Sequence, residues 1–152
     1  MRTIIHVVDV SASTESLFTA LTTVSGLAKW WTTKVSGDTG PGGRIDFTFA
    51  GDFNPVMQVV SASDTELQWR CIAGHDNWAE NTFRFQVAGL DDGRTRLRFR
   101  QHYANELSDD DYGIYNFNWG YYLESLRLLC VTGTGKPFQP PDRRDTSVLD
   151  TT

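Results

Sequence analysis

Residues 108–133 read SDDDYGIYNFNWGYYLESLRLLCVTG, and no other stretch of the chain is long enough and periodic enough to be a substantial helix. Ser108 suits an N-cap, because its hydroxyl can accept from a free backbone N–H of the first turn. Asp109, Asp110 and Asp111 place negative charge on the electropositive end of the same turn. Tyr115, Trp119, Tyr122, Leu123, Leu126 and Leu129 recur at spacings that put them on one helical face. Gly133 is the expected stop, with Pro137 shortly beyond it. A face this aromatic has to lie against a large apolar surface, which the preceding hundred or so residues must supply.

Those residues read mostly as strands. Thr3–Val10 (TIIHVVDV) is β-branched and opens the chain. Ser11 or Ser13 then caps a short helix carrying Leu17, Phe18, Ala20 and Leu21, and a second short segment runs from Ser25 to the pair Trp30–Trp31. From there the period falls to two. Thr32–Ser36 reads as a strand and GDTGPGG at 37–43 as a turn. Arg44–Ala50 alternates, with Ile45, Phe47 and Phe49 on one face. Val56–Ala62 is a further strand whose inner face stays open, since both phases carry apolar residues. Glu66–Ile72 turns Leu67, Trp69 and Cys71 inward, and 73–77 is a loop. Asn81–Ala88 and Arg94–His102 face Phe83, Phe85, Val87, Leu97 and Phe99 inward around the turn GLDDG. One wet and one buried face is the habit of an antiparallel sheet. The expected architecture is α+β: a curved antiparallel sheet of about seven strands, two short helices after the first strand, and the long helix covering the concave face.

The chain has 152 residues, 39% of them hydrophobic, which gives one domain with one sizeable core. That domain is expected over 1–135, with a polar, proline-bearing tail at 136–152 wrapping the surface or loosely held. No apolar run approaches the length of about 18 residues that spans a bilayer. MRTIIHVVDV has no cleavage-site pattern, so no signal peptide is expected. Two cysteines, Cys71 and Cys130, make no disulfide framework and fit a cytoplasmic setting, both as buried, inert thiols. A net charge of −5 weighs against nucleic acid as a partner.

The order strand, helix pair, six-strand meander and long helix resembles the helix-grip fold of the SRPBCC/START-like (Bet v 1-like) superfamily. Within it, several segments are similar to bacterial relatives of the C-terminal domain of the Hsp90 ATPase activator. These are Phe18–Thr23 at the first helix, Leu27–Trp31 ending the second, Gly42–Ile45, Trp69 with Trp78 and Thr82, and Trp119, Leu123, Leu126 and Gly133 on the closing helix. Asn81 stands where the family often has glycine, and Gly113 is unusual at the helix start. The resemblance implies a cavity between sheet and long helix. Superfamily members bind lipids, sterols, polyketides or aromatic compounds there, and some act as cyclases or dehydratases.

The residues expected to line that space are Trp31, Phe47, Phe49, Met57, Trp69, Phe83, Phe85, Phe99, His102, Trp119 and Tyr122. They point to a small apolar or aromatic ligand; a solid aromatic core is the competing reading. A cyclase- or dehydratase-type enzyme in the same cavity would need a polar dyad, with His6 and His102 as first candidates. His75 and Asp76 are neighbours on a loop, which sets up no such geometry. No catalytic residue, metal or cofactor is assigned; the histidines lack metal-ligand spacing. Arg94, Arg96, Arg98 and Arg100 share one outward strand face, read first as a solvated surface with acids across the sheet and second as the contact of a co-chaperone-like module. An exposed edge strand would permit a homodimer.

Overall fold

The computed structural model describes residues 2–141. The chain runs β1 (Thr3–Val10), α1 (Thr14–Thr22), α2 (Val24–Trp30), β2 (Lys34–Gly37), β3 (Arg44–Thr48), β4 (Val56–Ala62), β5 (Glu66–Ala73), a 3-10 turn at Asp76–Trp78, β6 (Thr82–Gly89), β7 (Thr95–His102) and α3 (Asp109–Thr132). The strands form one seven-stranded antiparallel sheet in the order β1-β7-β6-β5-β4-β3-β2. Each short turn returns the chain beside the strand it left. The first strand closes against the last, with Val8 opposite Leu97 and Ile4 opposite Gln101. The sheet curves around α3, with α1 and α2 closing one end: the helix-grip architecture.

The helix ends follow local chemistry. The Ser108 hydroxyl accepts from Asp111 N at 3.1 Å, and Gly133 ends α3 in the left-handed region at φ 87°. Ser13, rather than Ser11, caps α1, and Thr23 both ends α1 and caps α2. The inner face of β4, open from sequence, is settled by two register shifts, at Val56/Met57 and Val59/Ser61. A bulge puts consecutive residues on the same side. Val56, Met57 and Val59 are all buried while Val60 is exposed, so no single phase fits the strand.

The concave face carries Ile45, Phe47, Met57, Trp69, Phe83, Phe85, Leu97 and Phe99, all essentially without exposure, against Leu17 and Leu21 of α1, Leu27 and Trp30 of α2, and Leu123 and Leu126 of α3. The convex face is mainly polar, with Ile5 and Val7 of β1 exposed on it beside Arg100 and Arg98. Arg96 grips Asp9 with two hydrogen bonds of 2.7 and 3.0 Å, Arg94 bonds Asp92, and Arg84 bonds Glu66 at 2.7 Å. The Arg96 hydrogen bond holds the Asp9 carboxyl below its ordinary value. Beyond α3 the chain turns back: Phe138 N donates to Trp31 O at 2.8 Å, and Thr33 N donates to Phe138 O at 2.9 Å. The part of the expected tail past residue 141 lies outside the described residues.

Candidate functional site

At one end of the space between sheet and α3 the packing opens into a cleft of about 440 Å³. Four segments build it. Trp31 comes from the exit of α2, and Phe49–Phe53 from the turn between β3 and β4. His75 and Trp78 come from the β5–β6 connection, and Tyr115, Asn118, Trp119 and Tyr122 from α3; Phe138 closes one side. The β3–β4 turn is folded by Asn54, whose Oδ1 accepts from Phe49 N at 2.9 Å while its Nδ2 donates to Gly51 O at 3.0 Å. This turn is held to the β5–β6 connection by Asn54 N donating to Gly74 O at 3.0 Å. Gly74 sits at φ 90°, and a Cβ there would lie 1.8 Å from Asn54 O, so only glycine allows the two loops to approach. That approach delivers His75 to the mouth.

The cleft has one polar end. His75 Nδ1 lies 3.2 Å from the Asp52 carbonyl oxygen, which only accepts, so in the neutral imidazole Nδ1 carries the proton. Nε2 then accepts from the Tyr115 hydroxyl at 2.6 Å, and Tyr115 Oη accepts in turn from Asn77 Nδ2 at 3.0 Å. Asn77 also reaches Asp111 on the first turn of α3, at 3.4 Å. Burial pushes the Tyr115 hydroxyl above its ordinary pKa, against the lowering effect of the Asn77 bond, and burial raises Tyr122 as well. Both hydroxyls stay protonated donors at neutral pH.

The remaining walls are aromatic and interlocked. Trp31 is the hub, edge-on to Phe47 at 4.5 Å and Phe49 at 5.2 Å and stacked on Trp119 at 5.2 Å. Phe53 stands perpendicular to both His75 and Trp78, and Phe138 stacks on Phe49. Trp119 Nε1 donates to Gln101 Oε1 at 2.7 Å, which fixes the indole plane. Behind this wall Trp78 Nε1, Gln101 Nε2 and the Tyr103 hydroxyl are buried without a direct hydrogen bond. Burial drives the Tyr103 hydroxyl strongly upward.

The structure brings together Trp31, Phe49, Trp119 and Tyr122 of the residues singled out from sequence. Phe47, Met57, Trp69, Phe83, Phe85 and Phe99 lie beneath them as packed core and do not reach the cleft. His102 is turned to the convex face, where its Nδ1 lies 3.1 Å from Thr3 Oγ1 beside Arg84 and Arg100. Its neighbour Gln101 takes the inward position. His6 faces α3 but bonds Asn116 Oδ1 at 2.9 Å and lines no part of the cleft. The polar end instead belongs to His75 and Tyr115, forty residues apart in the chain. Tyr115 lies on the helical face read from sequence. His75, Phe53 and Phe138 sit in segments without period, where nothing local signals them. Among the described residues no group of three or more His, Cys, Asp or Glu is placed to hold a metal ion, and no helix is long and apolar enough to cross a membrane. Cys71 and Cys130 are both free; burial raises the Cys71 thiol and pushes Cys130 up to about 11.

Residues 11–130 match the family described as Activator of Hsp90 ATPase homolog 1-like protein. Among solved structures, the Aha1 dimer from Colwellia psychrerythraea is 30% identical, with a TM-score of 0.79 over 89% of this chain and 100% of that one. A Mesorhizobium loti protein superposes with a TM-score of 0.74 at 20% identity, over 84% of this chain and 96% of its own. CalU16 from Micromonospora echinospora does so at 0.68 with 16% identity, over 87% and 78%. The last two likenesses speak to the fold alone. No protein with a curated description matches the sequence. From the match over most of its length and the relative of equal extent, the chain belongs to the Activator of Hsp90 ATPase homolog 1-like family of the SRPBCC/START-like superfamily.

Proposed function

We propose that the protein binds a small, mainly apolar aromatic molecule carrying one polar group, in the cleft between the β3–β4 turn, the β5–β6 connection and α3. The observation that carries this is an open space of about 440 Å³ with mainly aromatic walls and a few polar groups, chief among them the hydrogen-bonded pair His75 and Tyr115. Such a space falls within the size range of small-molecule sites, and few polar groups among apolar walls fix a ligand's orientation. Trp31, Phe49 and Phe53 supply flat surfaces. Tyr115, already bonded to His75 and Asn77, can turn its hydroxyl toward a ligand oxygen. Calorimetric titration with 2-naphthol, an aromatic body with one hydroxyl, tests the reading. Saturable one-to-one binding is expected, weakened severalfold by Tyr115→Phe with the fold unchanged by circular dichroism. Failure of the wild type to saturate contradicts it.

A second reading, acid–base chemistry in the same cleft, is favoured by the same dyad: a 2.6 Å hydrogen bond between an imidazole and a phenol at the edge of an apolar space. His6 and His102 offer it no support, since neither reaches the cleft. The co-chaperone reading finds less. Asp9 engages both Arg94 and Arg96, so half of the arginine stripe is paired within the chain. We further propose that the protein self-associates, as the dimeric Colwellia psychrerythraea relative does. The protein is assigned no membrane span and no nucleic-acid partner in this proposal, and a cytoplasmic location goes with it.

A further inference from the structure

α3 has a second face that the fold leaves uncovered. Ile114, Phe117, Tyr121, Glu124, Leu128 and Val131 follow one another at alternating spacings of three and four. That is the a/d repeat of a helix that packs lengthwise on another helix. The line faces away from the sheet: Ile114 is 57% exposed, Phe117 76%, Tyr121 51% and Val131 42%. Exposed apolar residues scattered singly are ordinary, whereas neighbours on one helix face, as Ile114, Phe117 and Tyr121 are, mark an interaction surface. The one acid in the line, Glu124, is engaged by Arg127 through two hydrogen bonds of 2.8 and 2.5 Å.

Gly113 adds an independent observation. A Cβ there would meet nothing within 4 Å, so the chain's own packing does not call for a glycine. Glycine inside a helix is destabilising relative to alanine. What it does provide is a depression on the helix surface, lined by Asp109, Asp110, Gly113, Ile114, Phe117 and Asn118. A side chain from a second helix would fit there as a knob enters a hole.

We propose that two copies of this chain meet along this face, α3 against α3 and antiparallel. The choice of a second copy rests on the self-association proposed above, and an isologous contact needs only a surface that complements itself, as an apolar seam does. Charge sets the direction. Asp109, Asp110 and Asp111 crowd the N-terminal turn, Asp109 being paired with Arg2; at the other end Arg127 is held by Glu124, and the exposed Lys136 lies just beyond the helix. Antiparallel pairing brings the acidic first turn of one helix toward the partner's Lys136 and opposes the two helix dipoles; parallel pairing sets the two acidic turns together. The opposite face of α3 lines the cleft through Tyr115, Trp119 and Tyr122, so the contact would brace the cleft's helical wall from behind.

Sedimentation velocity over a wide concentration range tests this on the full chain. The wild type is expected to be a dimer that dissociates on dilution. Phe117→Asp and, separately, Tyr121→Glu are expected to remain monomeric with unchanged circular dichroism, since both side chains are exposed; two variants guard against one failing to fold. Val7→Glu, at the exposed edge strand β1, is expected to keep the dimer. A dimer that survives both helix variants, or that only Val7→Glu dissolves, overturns the proposed face while leaving self-association standing. A wild type that is monomeric at every concentration overturns both.

Discussion

Trp69, Phe85 and Phe99, packed toward Leu123 and Leu126, leave no room between sheet and helix; Phe53, His75, Tyr115 and Phe138, a short distance along the same space, leave about 440 Å³. Both ends are aromatic, and composition does not distinguish them. The origin of the side chains does. Phe85 and Phe99 face each other from adjacent strands, at directly paired positions with ring centres 5.1 Å apart. A ladder fixes such pairs at close spacing, and the gaps close. Phe53, His75 and Phe138 are carried on connections, held by a handful of hydrogen bonds from Asn54, Gly74 and Trp31. The walls they form are positioned without being pressed together, in keeping with the tendency of binding groups to sit on loops anchored to a rigid sheet.

Three changes separate these regions, from the largest effect to the smallest. Trp69→Ala empties the packed end. A buried tryptophan lost to alanine costs about 3–5 kcal/mol, which at this chain length lowers the melting temperature by roughly 6–20 °C. Thermal denaturation followed by circular dichroism reads it, and a shift of only a degree or two would mean the packed end is not packed. Gly74→Ala strikes the joint that sets the cleft. Its methyl would collide with Asn54 O and strain a left-handed backbone, at a cost of about 1–3 kcal/mol. Affinity for 2-naphthol should fall along with the melting temperature, because His75 moves. Unchanged affinity would detach His75 from the site.

The third concerns alkaline pH. Cys130, on the half-buried side of α3, has its thiol raised from 9.0 to about 11 by burial. A raised folded pKa means that the folded state holds its proton while the unfolded state has lost it. The contribution is therefore complete below pH 9 and declines as pH climbs from 9 through 11. Tyr115 and Tyr122, also raised, extend the decline upward. Denaturant titrations between these limits should show falling stability, and Cys130→Ala should make the fall shallower. Equal slopes in both proteins would assign the decline to Cys71 and the tyrosines.

The sheet and its helix were largely legible in the sequence for a physical reason: alternation in Arg44–Ala50 or Asn81–Ala88 is imposed by the pleat itself, and Ser108 and Gly133 are local end signals. The inner face of β4 was not, although its bounds were, because register shifts against β5 break its phase. The placement of His102 was within reach. Alternation continued from Leu97 and Phe99 makes Gln101 the inward residue and turns His102 outward, as found. The His75–Tyr115 contact was beyond local reading. It depends on a glycine at φ 90° bringing two loops together, and no pattern within either segment encodes the other. The outer seam of α3 was present in the sequence at a spacing as regular as the inner one. The structure covers the more aromatic line, the one read from sequence as the buried face, and leaves the outer line bare.

The five tryptophans report directly on the difference between the two regions. Trp31, Trp78 and Trp119 line the cleft, whereas Trp30, with its Nε1 bonded to Ala20 O at 2.9 Å, and Trp69 belong to the packed end. Their indole N–H resonances can be followed by nitrogen-15 NMR as 2-naphthol is added. The signals of Trp31, Trp78 and Trp119 are expected to shift to saturation while those of Trp30 and Trp69 stay in place. Shifts of equal size at all five, or none at saturating ligand, would contradict it.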